Sequence, residues 1–130
     1  MAKKSAPQVL AWHICDALHI DPSSGKLYIL GTFSSIQTRQ FPSEHPYMVW
    51  LLVLGGLAAG KHKLAIDWVI PGEEGRTVLS GEIEAPANGG PLTIPNQINR
   101  LPLTKAGMHQ IRVTVDGEEL LLTGLDVRNA

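Results

Sequence analysis

The sequence predicts an all-β protein, an immunoglobulin-like sandwich of two antiparallel sheets with about eight strands. Nine prolines and thirteen glycines are spread over 130 residues, which leaves few windows long enough for a helix. Between these residues apolar and polar side chains alternate with a period of two, which is typical of strands with one buried face. The length fits one domain, which we expect to cover residues 9–128 after an N-terminal arm of residues 1–8.

The first half of the chain contains three predicted strands. Asp16 falls among the large apolar positions of the first strand, which predicts a bulge near residues 15–17. Residues 21–25, Asp-Pro-Ser-Ser-Gly, have the composition of a turn, and "FPSEHP" at 41–46 ends the second strand. The third strand is apolar in both of its alternating phases. These strands are predicted at 9–19, 26–40 and 47–54.

The second half contains the remaining strands. Pro95 and Pro102 cannot donate backbone hydrogen bonds, so one or two short strands between residues 92 and 103 belong at a sheet edge. Asp116-Gly117 lies between alternating apolar residues and predicts a two-residue hairpin, because a type I′ turn requires positive φ at both central positions. The other strands are predicted at 62–70, 76–84, 109–115 and 120–127.

Composition limits the classes of function. Hydrophobic residues make up 44% of the chain, charged residues 18%, and the net charge is −1, as in soluble globular domains. No basic block beyond Lys3-Lys4 is present, so we expect no binding to nucleic acid or to membranes through bulk charge. The longest apolar run, 47–59, is shorter than the roughly 20 residues of a membrane span. The single cysteine and the lack of a clean signal peptide predict a cytoplasmic protein.

One phrase occurs twice, as "AGKHKLAI" at 59–66 and "AGMHQIRV" at 106–113. Alternation places His62 and His109 in phase with apolar residues, so both rings are expected at the rim of the core, each donating an N–H to a loop carbonyl. The glycine of each phrase supplies the tight turn into the strand. The alternative is a metal or proton site, to which His13 and Cys15 would add candidates on one strand face. Because no Cys-x-x-Cys or His-x-x-x-His spacing is present, we expect no metal.

Other reactive residues favour structural roles. Cys15 neighbours Asp16, whose carboxylate would raise the thiol pKa, so a small buried residue is expected rather than a nucleophile. Six glutamates could suggest paired catalytic carboxylates, but they fall in turns or on outward strand positions, and no nucleophile elbow, phosphate loop or dinucleotide motif is present. We therefore expect no enzyme, no catalytic residue and no cofactor. These glutamates are Glu73, Glu74, Glu82, Glu84, Glu118 and Glu119.

Two classes of function are consistent with the sequence. The favoured one is a domain that binds protein or assembles with itself, and the alternative is a small-ligand or carbohydrate-binding module. Trp12 and Trp68 fall in an inward phase, and Trp50 is left open as a sugar-stacking residue.

The strand "YMVWLLVL" at 47–54 supplies the candidate interface. Neither phase is polar, so one set of side chains must lie on the outside of its sheet. We predict that the outer set is covered by a second copy in a homodimer. The alternative is a cover formed by the N-terminal arm, 1–8, or by residues 85–103. The predicted outer set is Met48, Trp50, Leu52 and Leu54.

The chain also resembles a family of uncharacterised bacterial proteins, a domain of unknown function. The motifs that carry the resemblance extend over nearly the whole chain. They are Cys15-Asp16, Gly25-Lys26-Leu27, Gly31-Thr32-Phe33, Phe41-Pro42 with His45-Pro46, Gly60-Lys61-His62 and Asp116-Gly117. The departure is at His109, where the family more often has an aromatic residue such as tyrosine. These are strand and turn residues, so the resemblance implies the fold and no catalytic residue.

Overall fold

A computed structural model of the protein describes residues 6–130, which form nine strands in two sheets and no helix. The four-stranded sheet has the order β2-β1-β4-β7, and the five-stranded sheet has the order β3-β9-β8-β5-β6. The strands are β1 Gln8–Ile20, β2 Leu27–Thr32, β3 Ser35–Thr38, β4 Ser43–Gly55, β5 Gly60–Val69, β6 Arg76–Ala85, β7 Leu92–Leu103, β8 Gly107–Val115 and β9 Glu118–Asn129.

The topology is that of an immunoglobulin-like sandwich, as the sequence predicted. Neighbouring strands pair antiparallel, with one exception. The chain crosses from the four-stranded to the five-stranded sheet between β2 and β3, and β3 runs parallel to the last strand, β9. Trp68 is buried on β5, and His109 lies near the start of β8. These are the places where immunoglobulin domains carry the buried tryptophan of strand C and the tyrosine of the tyrosine corner.

The core lies between the two sheets and contains a row of aromatic rings. Ring centroids are 5.9 Å apart for Trp12 and Trp50, and 6.3 Å apart for Trp50 and Trp68. His109 stacks on Trp68 at 4.6 Å. Large rings bury extensive apolar area and span the gap of about 10 Å between packed sheets. Around them pack fully buried aliphatic side chains, among them Met48, Leu52, Ile66, Ile111, Val113 and Leu125.

The predicted second strand, 26–40, is instead two strands in different sheets. β2 pairs with β1, whereas β3 pairs with β9. Gly31, near the end of β2, has a φ of +70°, a left-handed conformation that glycine adopts at low cost. The chain leaves the first sheet after Thr32 and enters the second at Ser35, which accounts for the ninth strand.

The bulge predicted near residues 15–17 is absent, and the register of β1 with β2 is regular from Cys15 to Ile20. The irregularity lies between Val9 and Ala11, in the pairing of β1 with β4. Asp16 keeps the inward phase of Ile14, yet it is exposed. The second half of β1 extends beyond the core, so the inward phase meets solvent there.

The remaining strand predictions hold apart from their bounds. β4 begins at Ser43 rather than at 47, so His45-Pro46 lies within a strand. β7 is one strand of 12 residues at a sheet edge, where Pro95 and Pro102 are tolerated. Asp116 and Gly117 have φ values of 52° and 81°, which confirms the predicted hairpin turn with positive φ at both positions.

Candidate interaction surface

The predicted interface set faces the wrong way. Met48, Trp50 and Leu52 are fully buried between the sheets, and Leu54 is nearly so. The prediction placed them outside because Leu51 and Val53 better suit a tight core between sheets. Both phases of this strand are apolar, however, and alternation alone does not say which phase points inward. The opposite phase, Tyr47, Val49, Leu51 and Val53, therefore lies on the outer face of the four-stranded sheet.

This outer face carries no charged side chain across its central part. Val49 lies between Cys15 and Gln97, and neighbouring side chains leave it almost no exposed surface. Tyr47 is more open, with 39% of its surface exposed. The outward positions of the four strands are Ala11, His13, Cys15, Ala17, His19, Tyr28, Leu30, Tyr47, Val49, Leu51, Val53, Thr93, Pro95, Gln97 and Asn99.

The outer face of the five-stranded sheet differs, because ion pairs cross it. Lys61 lies 3.9 Å from Glu82, and Arg112 pairs with both Asp67 and Glu119. Solvated charge of this kind is the ordinary surface of a sandwich. The uncharged outer face of the four-stranded sheet is therefore the one that departs from the usual pattern.

The most open apolar surface lies where β1 and β2 project from the sandwich. We call residues 17–30 the apolar hairpin. Its exposed side chains include Ile20 at 60%, Tyr28 at 51% and Leu30 at 50% of their surface. Among the described strands, only β1 makes more than marginal contact with β2. The inward-phase residues Leu18, Leu27 and Ile29 are partly exposed and take no part in the core cluster. The apolar hairpin is thus apolar on both faces and has no second layer beneath it.

Its own turn holds the apolar hairpin together. The Asp21 carboxylate accepts a hydrogen bond from the Ser24 hydroxyl at 2.6 Å and another from the backbone N–H of Ser23. The hydrogen bond from the Ser24 hydroxyl is the main reason that the pKa of Asp21 is lowered. Gly25 closes the turn by donating its N–H to the Asp21 carbonyl at 2.8 Å. The hairpin is therefore shaped locally, without help from the core.

The two histidines of the repeated phrase do not form one site. Gln110 pairs with Val69 at the end of β5 that is opposite to His62. The strand rise then puts roughly 25 Å between His62 and His109. Within residues 6–130, no group of three or more His, Cys, Asp or Glu side chains could hold a metal ion.

His62 joins two loops at one end of the sandwich. Its Nε2 is 2.6 Å from the carbonyl oxygen of Ala58, and its Nδ1 is 2.6 Å from Oδ2 of Asp116. The Ala58 carbonyl and then the Asp116 carboxylate raise the pKa of His62, because both accept hydrogen bonds from the protonated ring. Asp116 also accepts the backbone N–H of Lys63 at 2.9 Å. Both ring nitrogens are therefore occupied by structural contacts.

The side chain of His109 is fully buried. Nδ1 lies 3.0 Å from the carbonyl oxygen of Gly107, to which it donates, as predicted from the sequence. Nε2 is buried and has no hydrogen-bond partner in the protein. Burial lowers the pKa of His109, since desolvation disfavours the imidazolium. Gly60 and Gly107, which precede the two histidines in their phrases, have φ values of 111° and 132°.

Cys15 and the tryptophans take structural positions. Cys15 is completely buried, and burial is the main cause that raises the pKa of its thiol. Trp50 and Trp68 are inaccessible, and Trp12 packs against Trp50. Trp50, which the sequence left open, therefore cannot offer a ring face to a sugar.

A family model matches nearly the whole chain. A family of unknown function, DUF6941, has a model that matches residues 10–128. The chain belongs to this family. No curated protein matches the sequence. This match confirms the resemblance seen in the sequence motifs, which is to a family of unknown function.

Within residues 6–130, no helix of the structure is long and apolar enough to cross a membrane.

Solved structures of similar shape have low sequence identity. The β-glucosidase of Listeria innocua is 9% identical, with a TM-score of 0.55, over 91% of this chain and 16% of that chain. An immunoglobulin-like protein of Pseudomonas aeruginosa is 11% identical, with a TM-score of 0.46, over 98% of this chain and 100% of that one. The DNA glycosylase AlkC of Pseudomonas fluorescens is 17% identical, with a TM-score of 0.46, over 90% of this chain and 30% of that one.

These likenesses concern shape alone. The chain spans less than a third of the glycosylase and about a sixth of the glucosidase. At 9% identity, the likeness to the glucosidase concerns the fold and carries no activity over to this chain.

Sequence reasoning missed the apolar hairpin, although a signal was present. "LYIL" at 27–30 is apolar in both phases, as 47–54 is, and it follows a well-marked turn. The same argument that one phase must face outward applies to both runs. The predicted continuous strand over 26–40 hides this signal, because it keeps 27–30 inside one sheet.

Proposed function

We propose that the protein acts by association with a second copy of itself, using the apolar hairpin as its docking element, and not by catalysis. The observation that carries the proposal is the exposure of Ile20, Tyr28 and Leu30 on a hairpin that lies outside the core. A two-stranded hairpin without a packed layer is at best marginally stable in water. Covering it would stabilise the assembly by roughly 25 cal/mol for each Å² of apolar surface removed from water.

The surroundings of the hairpin favour a protein partner. Leu30 pairs with Ala17, and the uncharged outer face continues from there across β4 to β7. Contiguous apolar surface of a few hundred Å² usually marks an interface. The titratable groups that the sequence put forward for chemistry, His62, His109 and Cys15, are engaged in structural contacts or buried.

The test is the molar mass in solution as a function of concentration. Sedimentation velocity or light scattering should show a mass that rises from 14.1 kDa toward twice that value. Leu30→Glu should weaken self-association at least about tenfold, because it places a charge in the surface that is covered. The matched control is Leu122→Glu, since Leu122 is 44% exposed on the outer face of the other sheet.

Two results would contradict the proposal. The first is a parent protein that stays at the mass of one chain at all concentrations. The second is an equal loss of association in Leu30→Glu and Leu122→Glu. Both variants should keep the far-ultraviolet circular dichroism of the parent, because neither side chain belongs to the core cluster.

A further inference from the structure

The four sheet edges differ in how they are protected against pairing with another strand. β7 carries Pro95 and Pro102 and a left-handed residue, Arg100 with a φ of 56°. β6 begins with Arg76 and carries exposed glutamates at 82 and 84. β3 has only four residues. Prolines, charges, irregular backbone and short length are the devices that keep edges from pairing.

β2 has neither a proline nor a charge, and its one backbone irregularity, Gly31 with a φ of 70°, lies near its end, after Leu27–Leu30. Its sequence, "LYILGT", contains no charge and no proline, and six residues lie at the edge of the four-stranded sheet. Its backbone groups on the side away from β1 have no neighbouring strand within the described chain. An uncharged, exposed edge strand rich in β-forming residues is a template for another strand.

We propose that β2 pairs antiparallel with β2 of a second copy about a two-fold axis, which joins the two four-stranded sheets into one of eight strands. This proposal rests on the self-association proposed above and assigns its geometry. A two-fold axis perpendicular to the sheet keeps the outer face of both copies on the same side. Full overlap of residues 27–31 centres the axis on Ile29. Tyr28 then lies opposite Leu30 of the second copy, and the same pair occurs twice.

The charge pattern favours a second copy as the occupant. Self-pairing about a two-fold axis places each strand beside its own sequence, so any charge on the strand meets a like charge nearby. β2 carries none, whereas the same arrangement at β6 would bring Glu82 and Glu84 close to their own copies. Cross-strand pairs of an aromatic and an aliphatic side chain contribute roughly 0.2–1 kcal/mol each, which fits Tyr28 opposite Leu30.

The small area of the β2–β2 contact also sets the expected affinity of the dimer. About five residue pairs bury less than the roughly 1,200 Å² at which stable interfaces begin, so the dimer should be transient. Measurements should extend from about 5 μM to about 500 μM to cover such an equilibrium.

The test uses two double variants that differ by one residue. Tyr28→Lys with Leu30→Glu places each lysine opposite a glutamate of the second copy. Tyr28→Lys with Leu30→Lys places lysine opposite lysine in both pairs. Sedimentation velocity should show a dimer for the first variant, with an association constant at least tenfold above that of the second. Raising the salt concentration should reduce this difference.

A second measurement tests the axis itself. Ile29→Cys should form a disulfide-linked dimer on oxidation, because this residue lies opposite its own copy at the two-fold axis. Leu122→Cys is the control, and the native Cys15 is buried. Equal association of the two double variants, or equal cross-linking at 29 and 122, would overturn the edge pairing even if the parent dimerises. A monomeric parent would instead overturn the proposed function itself.

Discussion

At the scale of single residues, His62 and His109 occupy environments that move their pKa values in opposite directions. Hydrogen bonds to Ala58 and Asp116 raise the pKa of His62. Desolvation in the core lowers the pKa of His109. In the unfolded chain both histidines have a pKa of about 6.5. Lowering the pH therefore increases the contribution of His62 to the folding stability and decreases that of His109. The melting temperature of the parent therefore combines two opposing effects.

The contribution of His62 can be isolated with His62→Gln. Its pKa is raised on folding, so its stabilisation is fully present below about pH 6.5 and is lost as the pH rises through the folded value. Asp116 has a lowered pKa, so its contribution is lost only as the pH falls below the ordinary carboxyl range. Thermal melts of parent and variant should differ more at pH 5.5 than at pH 8.5. A difference that stays constant over this interval would show that the contact with Asp116 does not stabilise the fold.

At the scale of elements, the two-residue turn Asp116-Gly117 connects β8 to β9, and both residues have positive φ. Gly117 has a φ of 81°, and a Cβ added there would meet nothing within 4 Å. The cost of Gly117→Val should therefore come from the backbone alone, about 1 kcal/mol or more, since β-branched residues tolerate positive φ poorly. Chemical denaturation measures this cost. Gly81→Val is the matched control.

Gly81 also has open space around it, but it lies in β6 without positive φ. Valine favours strands, so this control should be neutral or stabilising. If both valine variants lose the same stability, the turn assignment at Asp116-Gly117 has no energetic support.

The elements show what could be predicted from the sequence. Turn chemistry predicted the Asp116-Gly117 hairpin, and Pro95 and Pro102 predicted an edge strand, because each rests on a local backbone constraint. The inward face of 47–54 could not be predicted in this way. Both phases are apolar, and the choice depends on neighbours far away in sequence, such as Trp68 against Trp50.

The split of the second strand had a similar cause. The predicted second strand runs through Gly31 to residue 40, although glycine also permits the left-handed conformation that it adopts. The second part of this segment pairs in parallel with β9, a strand about 90 residues later in the sequence, and no local pattern indicates such a pairing. The continuous strand concealed the apolar hairpin and its free edge, and the predicted interface residues, Met48, Trp50, Leu52 and Leu54, lie in the core.

At the scale of the whole molecule, the sandwich has one charged outer face and one uncharged outer face, and the apolar hairpin continues the uncharged one. The buried cluster between the sheets holds the sandwich together, whereas Ile20, Tyr28 and Leu30 are exposed and lie outside that cluster. Large apolar side chains kept outside a well-packed core are expected to be covered by a partner. The proposed self-association through β2 would cover these residues and pair the edge that carries no proline and no charge.

Hydrogen exchange of the β2 amides at two protein concentrations tests this central claim most directly. At about 5 μM the free edge should exchange quickly, and at about 500 μM amides within Leu27–Thr32 should be protected as the second copy covers them. The edge strand β6 provides the internal reference, because its exchange should not depend on concentration. Unchanged exchange in β2 together with a rise in mass would place the contact elsewhere, and unchanged exchange with no rise in mass would contradict self-association.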